Sequence, residues 1–377
     1  MELFHEATDW LESLASEAEF FRQGKAPTLE PMQAALEHFG RPDESFDWRV
    51  IVGGTAGKGT VCGLVEDVLV RSGESVVTLA SPHVYCVTER IRINGKNIDP
   101  EFFAATILEI RDEITQAGIK LSYYETLVLA GIVAGQVKRC NILVGEIGLG
   151  GAWDAVNAVQ GKRISALTFI GDDHRDILGP ELKDIAKTKA GIFTEDCQAG
   201  FSTEQNLRSE IQEAADSEVE FISGIRQKLN KKLARKIVRE IKGDNHAEFQ
   251  KIDRPGRWEM RGDVILDGAH AKDRFEYMLP KLKKLSGKKI AVLAMAQNHD
   301  PAAFRVILDD LDEVIWTSVP GERAFWDPND LRQQFQTGEV CADPQKALAC
   351  AKKLGDKVLV TGSFYLCGAI GARPASD

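Results

Sequence analysis

A glycine-rich segment carries the residue types that bind phosphate. It follows the apolar run 50–52 and reads Gly54-Thr55-Ala56-Gly57-Lys58-Gly59-Thr60, ahead of an apolar helical pattern. Glycines let the backbone turn sharply and bring successive N–H groups close to an anion, and the helix adds the positive end of its dipole. Lys58 can reach the terminal phosphates, and the hydroxyl of Thr60 can bind Mg²⁺. An ordinary strand–helix turn would leave three glycines and a lysine unexplained, so the segment predicts a nucleotide-binding loop.

The loop departs from the common pattern G-x-x-x-x-G-K-[ST]. The first glycine of that pattern would fall on Val52, and Gly59 stands where Ser or Thr is expected. The sequence fits the variant G-T-x-G-K-G-[ST] instead. Nucleotide contacts are therefore predicted for Gly54, Thr55, Gly57, Lys58, Gly59 and Thr60.

Further polar side chains follow the ends of predicted strands. Ser81 comes after the strand 75–79, Glu146 ends the strand 142–146, and His174 follows the strand 164–170. In an open parallel sheet the carboxyl ends of the strands carry the site, so these residues should converge on the phosphate loop. Taken singly, each has a structural explanation, because Ser81 can end a strand and His174 can cap a helix.

Strands alternate with helices along most of the chain, which predicts an α/β fold with mostly parallel, doubly wound sheets. A helical preamble (6–21 and 32–39) precedes the first strand, 49–52, and residues 88–98 suggest a hairpin with an Asn-Gly turn. The segment 194–245 is polar and helical in pattern. Pro255-Gly256-Arg257 marks the predicted boundary between a domain at 1–253 and a smaller one at 254–377, with strands at 263–267, 289–294, 313–317 and 357–361.

Composition limits the class of partner. The 377 residues carry a formal net charge of −10 with 44% hydrophobic residues, which argues against a general nucleic-acid or anionic-membrane binder. No apolar run reaches membrane-spanning length. The seven cysteines form no C-x-x-C pair and read as reduced, buried residues of a cytoplasmic protein.

Eight motifs in one order resemble the folylpolyglutamate synthase and dihydrofolate synthase family, a branch of the Mur ligase superfamily. They span roughly residues 30–370. They are the loop 54–60, Ser81-Pro82-His83 with Glu89-Arg90-Ile91-Arg92-Ile93-Asn94-Gly95, Glu146-Ile147-Gly148-Leu149-Gly150-Gly151 with Asp154-Ala155 and Asn157, Asp173-His174 with Lys189-Ala190-Gly191-Ile192, Gln227 with Asn230, Pro255-Gly256-Arg257, Asp267-Gly268-Ala269-His270, and Thr361-Gly362-Ser363-Phe364-Tyr365-Leu366.

The resemblance implies a P-loop, Mur-ligase-like central domain, a Rossmann-like C-terminal domain, and an ATP-dependent amide ligase working through an acyl phosphate. It implies catalytic roles for Lys58, His174, Lys189 and His270, with Lys189 as a carbamate. It implies ATP contacts from Asn230, Arg257 and Asp267, and two Mg²⁺ sites that draw on Thr60, Ser81, Glu146 and His174. It implies substrate contacts from Pro82, His83, Arg90 and Asp154.

The sequence departs from the family pattern at several points. Ala56 replaces Asn in the phosphate loop, Ala152-Trp153 replaces Arg-Leu, and Ala271-Lys272 replaces Asn-Pro. The segment 194–227 is also shorter than its counterpart. These changes spare the ATP chemistry, and they leave the acceptor acid open.

We therefore predict a cytoplasmic, monomeric ligase of small molecules that adds L-glutamate to dihydropteroate, to a tetrahydrofolate glutamate, or to both, with ATP and Mg²⁺. Two alternatives stay open at this point. One is a Mur-type ligase acting on a different carboxylate, and the other is a nucleotide-binding protein that no longer catalyses.

Overall fold

A computed structural model describes residues 2–14, 28–161, 163–172, 174–243, 248–250, 252, 254–321 and 324–371. The chain forms two compact units. The first comprises Met1–Ser81 and Thr88–Ile252, and the second comprises Pro82–Val87 and Asp253–Asp377. The segment Pro82–Val87 thus groups with the second unit, although a single boundary near residue 254 would place it in the first.

The first unit contains an eight-stranded sheet among the described residues, in the order β4-β3-β2-β5-β1-β6-β7-β8. All neighbours pair in parallel except β2 with β3 and β3 with β4. The strands are β1 (Trp48–Gly53), β2 (Val76–Leu79), β3 (Ile91–Ile93), β4 (Lys96–Asn97), β5 (Ile142–Glu146), β6 (Arg163–Leu167), β7 (Cys197–Ser202) and β8 (Val219–Phe221).

Helices cover both faces of this sheet, as parallel strands require. Local signals fix their starts: the Asp99 side chain accepts from the backbone N–H groups of Glu101 and Phe102, and Ser122 and Glu125 form a capping box. The helices are α1 (Glu2–Glu12), α2 (Glu30–His38), α3 (Lys58–Arg71), α4 (Pro100–Ala117), α5 (Tyr123–Val137), α6 (Arg175–Leu178), α7 (Leu182–Ala190), α8 (Arg208–Ala214) and α9 (Arg226–Lys242).

The second unit has a smaller sheet, in the order β13-β12-β11-β14-β10-β9, in which only β9 runs antiparallel to its neighbour among the described strands. Apolar side chains cover both of its faces. Its elements are β9 (Glu259–Arg261), β10 (Val264–Asp267), α10 (Lys272–Leu282), β11 (Lys289–Leu293), α11 (Arg305–Leu308), β12 (Glu313–Trp316), α12 (Pro328–Phe335), β13 (Glu339–Val340), α13 (Pro344–Leu354), β14 (Lys357–Thr361) and α14 (Phe364–Gly371).

The structure tests three predictions of local secondary structure, with different outcomes. The hairpin is confirmed, because β3 and β4 pair across Asn94 and Gly95, both at positive φ. The all-helical prediction for 194–245 is wrong, since β7 and β8 extend the sheet beyond β6. The predicted helix 6–21 is helical at Glu2–Glu12, and its remainder from residue 15 lies outside the described residues.

Two findings concern the predictions made from composition, on membrane-spanning segments and on cysteines. No helix in the described ranges is long and apolar enough to cross a membrane. All seven cysteines lie in the described part of the chain, and each is a free thiol. Only Cys62, Cys140 and Cys367 are buried, so the prediction of buried cysteines is wrong for the other four.

Candidate active site

The phosphate loop connects β1 to α3. Gly54 has φ +124°, and a Cβ on it would lie 2.1 Å from the hydroxyl oxygen of Thr168, so the backbone there requires glycine. Gly57, also at positive φ, precedes the first residue of α3, Lys58. The loop therefore has the sharp turn and the helix N-terminus that a phosphate site needs.

The segment that follows β6, a strand next to β1, holds the loop in place. The backbone N–H groups of Thr55 and Ala56 donate to the carbonyl of Phe169, at 2.8 and 3.2 Å. The Thr55 hydroxyl donates to the Gly171 carbonyl at 3.2 Å and accepts from the Gly171 N–H at 3.0 Å. Thr55, predicted to contact nucleotide, thus also fixes the loop through its side chain.

Helix α9 approaches the loop from another direction. A Cβ on Gly57 would lie 2.7 Å from the side-chain nitrogen of Asn230, which places this predicted nucleotide-binding residue against the loop. The Lys58 ammonium donates to the Gly54 carbonyl at 2.9 Å. Thr60 is exposed on the first turn of α3. Lys58 and Asn230 therefore both lie against the phosphate loop, and Thr60 follows the loop in the first turn of α3.

Glu146 lies beside the phosphate loop, because Val52 of β1 pairs with it in register. It is 4% exposed. Among the described residues its carboxylate has no ion pair, and its one hydrogen bond, from the Ser81 N–H, is long at 3.4 Å. Burying a carboxylate with so little compensation is costly, and a bound cation would relieve that cost. The oxygen donors of Thr60, Ser81 and Glu146 are the type that Mg²⁺ prefers.

The loop after Glu146 is held by a buried carboxylate. Asp154 accepts from the N–H groups of Gly148, Leu149 and Val156 at 2.8, 2.9 and 3.0 Å, and from the Tyr124 hydroxyl at 3.3 Å. Burial raises the pKa of Asp154 to about 6, although these hydrogen bonds act to lower it. Its contacts fit a residue that shapes the loop, and the predicted contact with substrate stays a prediction.

The raised pKa of Asp154 predicts a pH-dependent term in stability. Because the folded state holds this proton more tightly than the unfolded state, the stabilisation is present at low pH and is lost as pH rises through 6. Relative to Asp154→Asn, which does not titrate, the wild type should lose about 1.4 kcal/mol of unfolding free energy between pH 5 and pH 8. Urea unfolding of both proteins at both pH values measures this, and a constant difference would contradict it.

The predicted second metal group is spread over two segments. His174 has φ +55° and precedes the short helix α6, whereas Lys189 is 4% exposed near the end of α7. A Cβ on Gly151 would lie 2.7 Å from the Lys189 carbonyl, so the loop after Glu146 packs directly on that turn. Within the described ranges, no three His, Cys, Asp or Glu side chains group closely enough to hold a metal. Asp173 lies outside the described residues.

A small cavity lies at the carboxyl end of β5. Its lining is Leu79, Ala80, Arg90, Tyr124, Leu127, Val128 and Glu146. Arg90, predicted to contact substrate, therefore shares this cavity with Glu146. Pro82 is exposed and His83 is partly exposed, in the segment that groups with the second unit.

The second unit brings together its own predicted site residues at the carboxyl end of β10. Asp267 accepts from the N–H groups of Trp258 and Ala269, at 2.9 and 3.0 Å. Burial raises the pKa of Asp267, and the positive charge of Arg257 opposes that rise. The Arg257 guanidinium lies 4.3 Å from the Phe364 ring centre, and the His270 ring lies edge-on to the same ring at 6.0 Å.

Comparison with known proteins finds one sequence model and several relatives that match this chain. The sequence model described as "Mur ligase, glutamate ligase domain" matches residues 256–364. The dihydrofolate synthase/folylpolyglutamate synthase of Escherichia coli K12 is 27% identical over 362 residues, covering 83% of each chain. The dihydrofolate synthetase of Saccharomyces cerevisiae is 26% identical over 404 residues, covering 88% of this chain and 94% of the relative. Over most of its length the chain is therefore similar to dihydrofolate synthases and folylpolyglutamate synthases.

Solved structures of folylpolyglutamate synthases share the fold of this chain. E. coli FolC, in complex with DHPP and ADP, superposes with a TM-score of 0.85 at 23% identity, covering 98% of this chain and 96% of that one. The synthase of Yersinia pestis, complexed with AMPPNP and Mn ion, gives 0.83 at 22% identity, with 97% of each chain covered. The predicted Mur-ligase-like α/β fold with two domains is confirmed.

Two residues that contact predicted site residues, Tyr124 and His299, were not predicted from the sequence. Tyr124 donates to the Glu146 carbonyl at 3.3 Å as well as to Asp154, and it lies against Gly148. His299, which follows β11, packs against His270 with ring centres 4.4 Å apart and ring planes tilted by 33°. The capping box at Ser122 marked the helix that carries Tyr124, but neither residue stands in a motif whose spacing indicated a role.

Proposed function

We propose that this chain is an ATP-dependent ligase that joins L-glutamate to the carboxylate of a folate substrate: dihydropteroate, a tetrahydrofolate glutamate, or both. One observation carries the proposal. The phosphate loop with Lys58 and the buried carboxylate of Glu146 lie at the ends of neighbouring parallel strands. A carboxylate that needs a cation, beside a loop suited to phosphate, is an arrangement for ATP with a divalent metal.

The reaction needs two displacements. A carboxylate oxygen of the acceptor attacks the γ-phosphorus of ATP, the bond to the bridging oxygen breaks, and ADP leaves. The glutamate amine then attacks the acyl carbon, loses a proton, and releases phosphate through a tetrahedral intermediate. Both steps build charge on oxygens, so the protein acts chiefly by positioning and by electrostatic stabilisation.

The chain's own residues divide that work. Lys58 and the loop N–H groups neutralise and hold the phosphates, and Asn230, whose side chain lies against Gly57 of the loop, would contact the nucleotide. Thr60, Ser81 and Glu146 would hold one Mg²⁺, and His174 with a carbamylated Lys189 would hold a second. When bound, the metal supplies positive charge to the phosphate oxygens. Arg257, Asp267 and His270 of the second unit would contact ATP and its phosphates, and Pro82, His83, Arg90 and Asp154 belong to the proposed acceptor region.

The named complexes of relatives support the substrates. E. coli FolC is described with DHPP and ADP, and the Y. pestis synthase with AMPPNP and Mn ion. We propose ATP, Mg²⁺ and a pterin acceptor for this chain on that basis. We also propose that it acts as a cytoplasmic monomer on small molecules without nucleic acid or membrane, which light scattering and cell fractionation test.

A second candidate is ligation of a different acid, and one observation favours it. The indole N–H of Trp153, which stands where the family has Leu, is buried without an acceptor among the described residues. An unsatisfied buried donor in the loop next to Asp154 is costly unless a ligand accepts from it. The acceptor region therefore has a polar feature that the family pattern does not have.

Turnover of ATP to ADP with glutamate and a panel of acceptors tests these proposals, with mass spectrometry of the products. A product heavier by one glutamyl unit from dihydropteroate or tetrahydrofolate is the expected result. Turnover with another acid alone would favour the second candidate. Tight ATP binding without any turnover would indicate a nucleotide-binding homologue that no longer catalyses.

A further inference from the structure

The segment Pro82–Val87 is embedded in the second unit, although it interrupts the chain of the first. The chain leaves the first unit after Ser81, next to the metal-binding candidate Glu146, and returns to it at Thr88. The first two residues of the segment, Pro82 and His83, belong to the proposed acceptor region. Whatever fixes the segment therefore also fixes that part of the acceptor site.

A charged hydrogen-bond network holds the middle of the segment. The Tyr85 hydroxyl donates to Glu259 Oε2 at 2.6 Å, and the Arg261 guanidinium lies over the Tyr85 ring, 4.5 Å from its centre. Arg261 Nε donates to Glu259 Oε1 at 2.7 Å, and a second Arg261 nitrogen donates to the Gly371 carbonyl. Burial and the hydrogen bond to Glu259 raise the pKa of Tyr85, so its hydroxyl remains a donor at neutral pH.

Close packing against α14 also fixes the segment Pro82–Val87. A Cβ on Gly368 would lie 2.3 Å from the Val84 carbonyl oxygen, so the helix accepts the segment only because this residue is glycine. Val84 and Tyr85 also pack on the apolar cluster that covers one face of the second sheet. The segment is thus a packed part of the second unit and has few ways to shift while Tyr85 stays bonded.

The same carboxylate reaches the proposed nucleotide contacts. Glu259 Oε2 also accepts from the Gly256 N–H at 2.9 Å, and the Gly256 carbonyl accepts from the Gly268 N–H at 2.8 Å. Gly256 precedes Arg257, and Gly268 follows Asp267. One side chain, Glu259, therefore ties the acceptor segment to the turn that presents both proposed ATP-binding residues.

We propose that Tyr85 and Glu259 are positioning residues of the ligase, with Tyr85 setting the acceptor segment and Glu259 setting both that segment and the Arg257 turn. Neither side chain needs to touch a substrate for this role. The effect on the acceptor rests on the proposed function. The contacts by which Tyr85 and Glu259 hold the segment Pro82–Val87 do not depend on it. It follows that loss of Tyr85 should affect the acceptor alone, whereas loss of Glu259 should affect both the acceptor and ATP.

Kinetics of three variants separate these roles. Tyr85→Phe should raise the KM for the acceptor about tenfold, as expected for a lost hydrogen bond to a charged group, and leave the KM for ATP unchanged. Glu259→Gln should raise both KM values. Both variants should keep kcat within about twofold. The control is Tyr277→Phe on α10, where the tyrosine is 49% exposed, and it should behave as wild type. An unchanged acceptor KM in Tyr85→Phe would overturn the proposal.

Hydrogen exchange tests the anchoring without any substrate. Peptides that contain residues 83–87 should exchange about tenfold faster in Tyr85→Phe and in Glu259→Gln. At these peptides the double variant should add little, because both single changes weaken the same hydrogen bond between Tyr85 and Glu259. Peptides covering 54–60 should not change. Unaltered exchange at 83–87 would overturn the anchor itself. If the wild type turned over no pterin, the proposed function would fail, and the exchange data would still decide the anchor.

Discussion

Lys58→Ala should lower kcat by at least about a hundredfold while the protein remains folded. Lys58 lies at the first position of α3, where its ammonium donates to the Gly54 carbonyl across the phosphate loop at 2.9 Å. In the proposed mechanism this cation neutralises charge on the transferred phosphoryl group, and removing one such group costs about 10²–10³ in rate. Single-turnover measurements of acyl-phosphate formation with saturating ATP give the effect on the chemical step.

Two controls separate catalysis from folding. Lys236→Ala removes a lysine on α9 that pairs with Glu220 at 2.8 Å on the surface, and it should leave kcat unchanged. Thermal unfolding of Lys58→Ala should match the wild type, since Lys58 is partly exposed and contributes no core packing. Turnover near the wild-type rate in Lys58→Ala would remove the phosphate loop from the mechanism.

The features that the sequence predicts best are those in which a short run of residues must have a particular residue type or pattern for structural reasons. Gly54 must be glycine because of its φ and the nearby Thr168 hydroxyl, and such a need is visible as a Gly-rich pattern. Apolar runs of four to six residues that alternate with amphipathic helices similarly predict a parallel sheet. The phosphate loop and the strand that ends at Glu146 could therefore be predicted from the sequence.

The sequence failed where the deciding contacts are distant along the chain. The strand β7, Cys197–Ser202, is buried only in its last three residues and lacks the continuous apolar run by which other strands were predicted. Tyr85 and Glu259 are 174 residues apart. No short-range periodicity could have assigned the segment Pro82–Val87 to the second unit, because its assignment depends on that bond and on packing against α14.

The proposed metal-binding role of Lys189 depends on a modification that the sequence does not show, so a substitution must test it. Lys189→Ala should lower kcat roughly a hundredfold, and acetate or formate should partly restore it. A lysine carbamate forms when an uncharged amine adds CO₂, and it places an anionic oxygen where an ammonium could not bind a metal. Lys189 is 4% exposed in a turn against which Gly151 packs, so a small carboxylate could occupy the space left by alanine.

The matched control for this substitution lies two residues earlier on the same helix. Lys187 is exposed and pairs with Glu213 at 2.9 Å, so Lys187→Ala should keep full activity and should not respond to acetate. Removing CO₂ from the buffer should inhibit the wild type and leave acetate-rescued Lys189→Ala unaffected. A fully active Lys189→Ala would exclude the carbamate, whereas an inactive variant that no carboxylate restores would make Lys189 a structural lysine. Since only a metal-binding oxygen explains rescue by unrelated short acids, this comparison separates the chemistry of Lys189 from its packing.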